Sequence, residues 1–107
     1  MREDPNYNQR QYERMLMRID LYRSGQISLP NLIADIEGLI SALESVPQEW
    51  RNTLLGHWAP LEDAYANALY ENRNALNEEE RRRISEALND LERIIKNRGP
   101  ESNSFVN

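Results

Sequence analysis

Apolar residues recur at intervals of three and four along most of this chain, and that spacing limits what it can fold into. Side chains three and four positions apart share one face of an α-helix, whereas a strand requires strict alternation. Four apolar stripes of this kind occur, separated by Gly25, Pro47 and the segment 72–76. No segment alternates as a strand would. The sequence therefore predicts an all-α protein.

The stripes give the approximate bounds of four helices. We expect the first at about 7–24, the third at about 47–71 and the fourth at about 78–97, with the second between Ser28 and Pro47. The third stripe should face the core with both tryptophans largely buried, and it comprises Trp50, Leu54, Trp58, Leu61, Tyr65, Ala68 and Leu69. Short connections favour antiparallel neighbours, so the expected fold is an antiparallel bundle of about four helices. We expect one domain over residues 7–98, with flexible tails at 1–6 and 99–107.

Local signals support these bounds. Gly25 follows the first stripe, where a left-handed helix cap is typical. Ser28 is a candidate N-cap, and Pro30 fits the first turn of a helix, where its missing N–H costs nothing. Asn77 and Glu80 have the spacing of a capping box. Each helix start or stop is thus predicted from its own residues.

Pro60 lies inside the third stripe and predicts a distortion of that helix. A proline ring in a helix clashes with the carbonyl four residues back, which here belongs to Gly56. Because the apolar phase continues across Pro60, we expect a kink near Gly56–Pro60. We also expect a side chain at Gly56 to clash. The alternative is two short helices with a tight joint.

Composition argues against several functional classes. The 107 residues carry a net charge of −5, whereas a nucleic-acid-binding protein normally shows a basic surface. Cysteine is absent, and no apolar run approaches the roughly 18 residues of a membrane helix. The polar N-terminus lacks the pattern of a signal peptide, so we expect a cytoplasmic protein with no membrane or direct nucleic-acid contact.

We expect that the protein is not an enzyme. His57 is the sole histidine, and we interpret it as a capping or half-buried structural residue. Glu62 and Asp63 are adjacent, so on a helix they diverge and cannot share a proton or a ligand. There is no glycine-rich phosphate loop. The sequence therefore predicts no catalytic residue, no cofactor and no metal site.

The second helix carries the first candidate binding surface. Opposite its apolar stripe all side chains are small: Asn31, Ala34, Gly38, Ser41, Ala42 and Ser45. A solvated helix face normally carries long polar side chains, and a glycine inside a helix costs about 1 kcal/mol relative to alanine. Small residues allow another backbone to approach closely. Either the first or fourth helix of this chain covers the face, or a partner docks there.

Acidic residues surround that face. Residues 35–71 hold seven carboxylates against Arg51 alone. Asp35 lies on one flank of the small face and Glu37 and Glu44 on the other, while Asp63 and Tyr70 lie on the outer side of the third helix. Such a border suits a basic partner. The predicted partner-binding residues are Asp35, Glu37, Gly38, Ser41, Glu44, Asp63 and Tyr70.

Two further groups of charges are interpreted as structural. Glu62 lies at the edge of the apolar stripe, and we expect it to pair with an arginine inside the fold. Arg10, Arg14 and Arg18 form a like-charged stripe on the first helix. Pairing of that stripe with the acidic helices is favoured over a phosphate site.

A series of short motifs resembles a known group of proteins. In order, they are Gly25-Gln26-Ile27-Ser28-Leu29, Leu32-Ile33, Asp35-Ile36-Glu37, Leu39, Ala42-Leu43-Glu44, Pro47, Glu49-Trp50, Trp58, Leu61-Glu62, Tyr65-Ala66 and Ala68-Leu69. Over about residues 19–95 the chain resembles small helical bacterial immunity proteins of polymorphic or contact-dependent growth inhibition toxin systems.

The resemblance implies a cytoplasmic protein that binds a cognate toxin domain, often a nuclease, and covers its active site or substrate groove. Nucleases act on polyanions and expose basic clefts, which an acidic inhibitor would complement. The alternative is a general helical interaction module or a self-associating structural protein. A monomer is favoured, although the sequence leaves the oligomeric state open.

Overall fold

The computed structural model describes residues 6–98, which form four helices. These are α1 (Tyr7–Arg23), α2 (Leu29–Ala42), α3 (Gln48–Tyr70) and α4 (Glu78–Lys96), and no strand occurs among the described residues. The predicted all-α bundle of four helices is confirmed. Apart from Asn6, which directly precedes α1, the expected tails lie outside the described residues.

The predicted helix ends are present as local hydrogen-bonded motifs. Gly25 has a φ of +80°, and the amides of Gly25 and Gln26 donate back into the last turn of α1, which is a Schellman cap. The Ser28 hydroxyl accepts from an amide in the first turn of α2. Asn77 and Glu80 form the complete capping box of α4, with bonds of 2.7 and 2.9 Å.

Neighbouring helices run in opposite directions. The Arg51 guanidinium, in the first turn of α3, donates to the Ile40 carbonyl near the end of α2. Farther along α3, the Trp58 indole donates to the Ile33 carbonyl near the start of α2. Each helix packs on the next one in the chain, and α1 closes the bundle by contacting α4.

One continuous core lies between the four helices. Its buried side chains are Tyr12, Met15, Ile19, Leu29, Leu32, Ile36, Ile40, Leu43, Leu54, Trp58, Leu61, Ala64, Ile84, Ala87, Leu88, Leu91 and Ile95. Every apolar stripe predicted from the sequence contributes to it. Trp50, expected to be largely buried, is only half-buried because it packs at the edge of the bundle, where its indole donates to the Tyr12 hydroxyl at 2.7 Å.

Arg98 completes the core at the end of α4. Its guanidinium lies 3.9 Å from the centre of the Tyr12 ring and donates to the Ile95 carbonyl and the Gln9 side chain. A cation over an aromatic face is attracted by the ring, more strongly when water is excluded. The contact ties the end of α4 to the start of α1.

The third helix continues without interruption through Pro60. The alternative of two short helices with a tight joint is therefore wrong, and the size of the bend at Pro60 stays a prediction. The expected clash at Gly56 is also wrong, because Gly56 is exposed and an added Cβ would meet no atom within 4 Å. A proline in a helix crowds the backbone carbonyl four residues back and not the side chain of that residue.

Candidate partner-binding surface

The small-residue face of α2 is open to solvent. Ala34, Gly38 and Ser41 are exposed, and a Cβ built on Gly38 would meet no atom within 4 Å. Of the two alternatives, cover by α1 or α4 is therefore wrong for the described residues. The reason is the position of α1, which packs beside α2 through its flank and leaves the outer face uncovered.

Arg18 marks the flank where α1 meets α2. Its Nε lies 3.5 Å from a carboxylate oxygen of Asp35, and both side chains are partly exposed. Arg14, Leu39 and Gly38 help to line a shallow groove of about 370 Å³ next to this pair. The predicted pairing of the arginine stripe with an acidic helix is thus confirmed at Arg18. Asp35 has an intramolecular partner and offers less free charge than predicted.

Glu37 and Glu44 occupy the other flank, and both are exposed. The backbone of Glu44 is fixed by the side chain of Asn8, which donates to its carbonyl at 2.7 Å and accepts from its amide at 2.9 Å. Arg51 donates to the Leu43 carbonyl at 3.0 Å and so caps the end of α2. These contacts hold Glu44 in a defined position at the corner between α2 and α3.

Asp63 and Tyr70 lie apart from the α2 acids. Asp63 is on the flank of α3 that faces α4, where it lines a groove of about 320 Å³ with His57, Arg83 and Asp90. Tyr70 is seven residues farther along the same helix, on the same side, and is 89% exposed. The predicted residues therefore fall on two separate surfaces, because the α2-facing side of α3 is occupied by Arg51 and Trp58.

Glu62 does not have its expected structural role. Its side chain is exposed, and among residues 6–98 it makes no ion pair or hydrogen bond. The carboxylate that the fold buries is Glu80, which is 2% exposed. The periodicity placed Glu62 at the edge of the stripe, but its burial depends on how far α2 reaches along α3.

Glu80 is at the centre of a polar cluster that joins α3 to α4. Arg73 contacts both of its oxygens, at 2.8 and 2.5 Å, and Asn67 donates to it at 2.7 Å. These bonds, with the amide of Asn77, lower the pKa of Glu80 to about 2. The guanidinium of Arg73 is correspondingly held in its charged form by Glu80 and Glu71, which raise its pKa.

The capping-box spacing identified Glu80, but nothing local identified Arg73 as its partner. Two exposed apolar side chains were also missed, Leu69 at 57% and Met17 at 50%. Leu69 lay in the apolar stripe of α3 and was expected in the core. The end of α3 thus presents more apolar surface than the sequence indicated.

Among the described residues, His57 is the remaining candidate for a catalytic or metal-binding role. His57 is half-buried, with Nδ1 3.9 Å from an Asp90 oxygen. No group of three or more histidine and carboxylate side chains in residues 6–98 is arranged to hold a metal ion. Among the same residues, no helix has both the length and the apolar character that crossing a bilayer requires.

Comparisons with known proteins identify no relative of the chain. No protein-family profile, no curated protein and no solved structure matches the chain.

Proposed function

We propose that the chain is a cytoplasmic immunity protein that binds a cognate toxin domain and covers its active site or substrate groove. The observation that carries the proposal is the open face of α2 around Gly38. The motif resemblance supplies the class of partner.

Gly38 is the most informative residue of that face. A glycine inside a helix costs about 1 kcal/mol of stability relative to alanine. No side chain of residues 6–98 packs close enough to require it. A partner backbone approaching α2 closely would need the absence of a side chain at this position. The cost of Gly38 to the free protein is then offset in the complex.

The charges on the flank of α2 away from Arg14 and Arg18 favour a basic partner. Glu37 and Glu44 are exposed on one flank, and the corner that carries Glu44 is held by Asn8 and Arg51. Opposite charges accelerate encounter and discriminate against wrong partners. A nuclease domain, whose cleft is basic because it binds a polyanion, fits this surface.

The alternative function is a helical interaction module that associates with copies of itself. The exposed apolar side chains Leu69 and Tyr70 at the end of α3 favour it, because isolated soluble domains seldom leave such large side chains more than half exposed in one region. Against it, the acids of α2 and α3 would oppose one another in a symmetric contact through either helix.

The test uses two leucine substitutions at open helical glycines. Wild type is expected to form a stoichiometric complex with its cognate toxin domain, to be sought among the genes beside its own, and to block its activity. Gly38→Leu should fold normally, because its Cβ would meet no neighbour within 4 Å, yet lose binding and neutralisation.

Gly56→Leu is the matched control, since it places the same side chain in equally open space on α3. It should bind and neutralise like wild type. The proposal fails if wild type does not bind the toxin domain, or if Gly38→Leu neutralises it as well as Gly56→Leu does.

A further inference from the structure

The C-terminal part of α3 extends past the first residue of α2. Arg51 donates to the Ile40 carbonyl at 2.6 Å, and Trp58 donates to the Ile33 carbonyl at 2.9 Å. Seven residues forward along α3 thus correspond to seven residues back along α2. The same register places Tyr65 opposite residue 26, which precedes the first residue of α2, Leu29. About the last two turns of α3 therefore have no α2 beside them.

The side of α3 that faces α2 continues into this extension. Residues 58, 62, 65 and 69 follow one another at spacings of four, three and four, so they lie on one face. Trp58 is covered by α2 and is 8% exposed, whereas Leu69 is 57% exposed. Ala66 and Tyr70 are exposed as well, and they lie on the neighbouring outer flank of α3, toward Asp63. Apart from Glu62, this outer surface is apolar, and α2 is too short to cover it.

The opposite side of the same turns is firmly held. Ala64 and Ala68 are buried, and Asn67 donates to Glu80 of α4 at 2.7 Å. The helix ends in a second Schellman cap, with Asn72 at a φ of +57°. The exposed face is therefore presented by a rigid element, and a partner binding there would pay little to order it.

The border of this face is negative. Glu62 and Asp63 lie about two turns before Leu69 and Tyr70, and Glu71 follows directly. Arg73, in the loop after α3, is engaged by Glu71 and Glu80, so the carboxylates at this border without an ion pair among residues 6–98 are Glu62 and Asp63. A second copy of the chain docking symmetrically would set carboxylates against carboxylates. A partner with basic residues would instead find opposite charges around an apolar centre.

We propose that the exposed end of α3, formed by Glu62, Ala66, Leu69 and Tyr70, is a docking site for a basic amphipathic helix of another protein. That helix would lie along the outer side of the last two turns of α3, next to the position that α2 would occupy if it were two turns longer. Leu69 and Tyr70 are the apolar anchors of the site on α3. Glu62 pairs with a basic side chain of the partner helix at the rim. The site is separate from the small-residue face of α2 and does not depend on the toxin assignment.

The test is a titration of the isotope-labelled protein, followed by NMR, with a synthetic helix of about 18 residues built from leucine and lysine at amphipathic spacing. A peptide of the same composition in scrambled order is the charge control. The amphipathic peptide should shift the amides of residues 62–71, and the scrambled peptide should bind at least about tenfold more weakly.

Leu69→Ser and Tyr70→Ala should each weaken binding about tenfold or more, as expected for anchor residues. Met17→Ser removes a comparably exposed apolar side chain from α1 and should leave the affinity unchanged. The amide spectrum of each variant reports that it is folded.

Equal binding of the two peptides, no peptide binding, or an unchanged affinity of Leu69→Ser would overturn the proposal. Shifts at residues 62–71 that depend on protein concentration without peptide would also overturn it, because the occupant would then be a second copy. No toxin enters these measurements, so their failure leaves the proposed function standing, and the reverse holds too.

Discussion

At the scale of single residues, Glu80 shows how one carboxylate can connect local and tertiary structure. It caps α4 through Asn77 and is clamped by Arg73 from the preceding loop. A buried carboxylate is tolerated only when its oxygens are satisfied by hydrogen bonds and an opposite charge. Both conditions are met here, and they lower the pKa of Glu80 from 4.5 to about 2.

This pKa shift predicts an acid-dependent loss of stability. Because the folded pKa is depressed, the contribution of Glu80 is fully present above about pH 4.5 and is lost as the pH falls toward 2. The difference in unfolding free energy between wild type and Glu80→Gln should therefore be largest near pH 7 and narrow below pH 4.5. Urea unfolding at a series of pH values measures it.

The control for that experiment removes the principal cause of the shift. In an Arg73→Gln background, the effect of Glu80→Gln should depend much less on pH, since the guanidinium contributes most to the lowered pKa. A gap between wild type and Glu80→Gln that stays constant from pH 7 to pH 3 would contradict the assigned role of Glu80.

Some of this residue-scale detail could be predicted from the sequence and some could not. The caps at Ser28 and Asn77 were readable because both partners lie within three residues of each other. The role of Glu62 was not, because its exposure depends on where α2 begins relative to α3. Arg73 lay in a loop with no pattern that pointed to Glu80.

At the scale of helices, substitutions at Gly25, Gly38 and Gly56 test the backbone conformation that the structure gives each position. Gly38 and Gly56 have ordinary helical backbones in open space, so Gly38→Ala and Gly56→Ala should each raise stability by up to about 1 kcal/mol. Gly25 has a φ of +80°, and Gly25→Ala should lower stability by roughly 1 kcal/mol. Thermal or urea unfolding of the three variants distinguishes these signs.

A loss of stability in Gly56→Ala would show that α3 is distorted there, as the sequence had suggested. A neutral Gly25→Ala would show that the left-handed cap does not form in solution.

Helix bounds were predictable because prolines, glycines and capping residues mark them locally. The relative lengths of α2 and α3 determine which part of α3 is covered, and apolar spacing alone did not predict that part. The 23 residues of α3 pack beside the 14 residues of α2, and this mismatch exposes Leu69 although it lies in the apolar stripe. Periodicity reports which face is apolar, but it does not report whether a neighbouring helix is long enough to cover it.

At the scale of the whole molecule, the acids of the central helices form two surfaces instead of one. Glu37 and Glu44 border the small face of α2, while Asp63 lies in the groove toward α4. The sequence indicated the residues but not their grouping, since the order of helices around the bundle decides which flanks are free. Asp35 is engaged by Arg18 for the same reason.

The central claim is that the acidic flank of α2 binds a basic toxin domain. Its most direct test is the binding kinetics of the double charge reversal Glu37→Lys with Glu44→Lys against the cognate toxin domain. Association should slow more than dissociation accelerates, because electrostatic steering acts on encounter. The effect should shrink toward molar salt, where the Debye length falls to about 3 Å. Glu78→Lys with Glu86→Lys changes the net charge equally at exposed positions of α4 and should slow association much less. An unchanged association rate at low salt, an equal effect of the α4 pair, or a complex that buries Arg10, Arg14 and Arg18 instead would contradict the account.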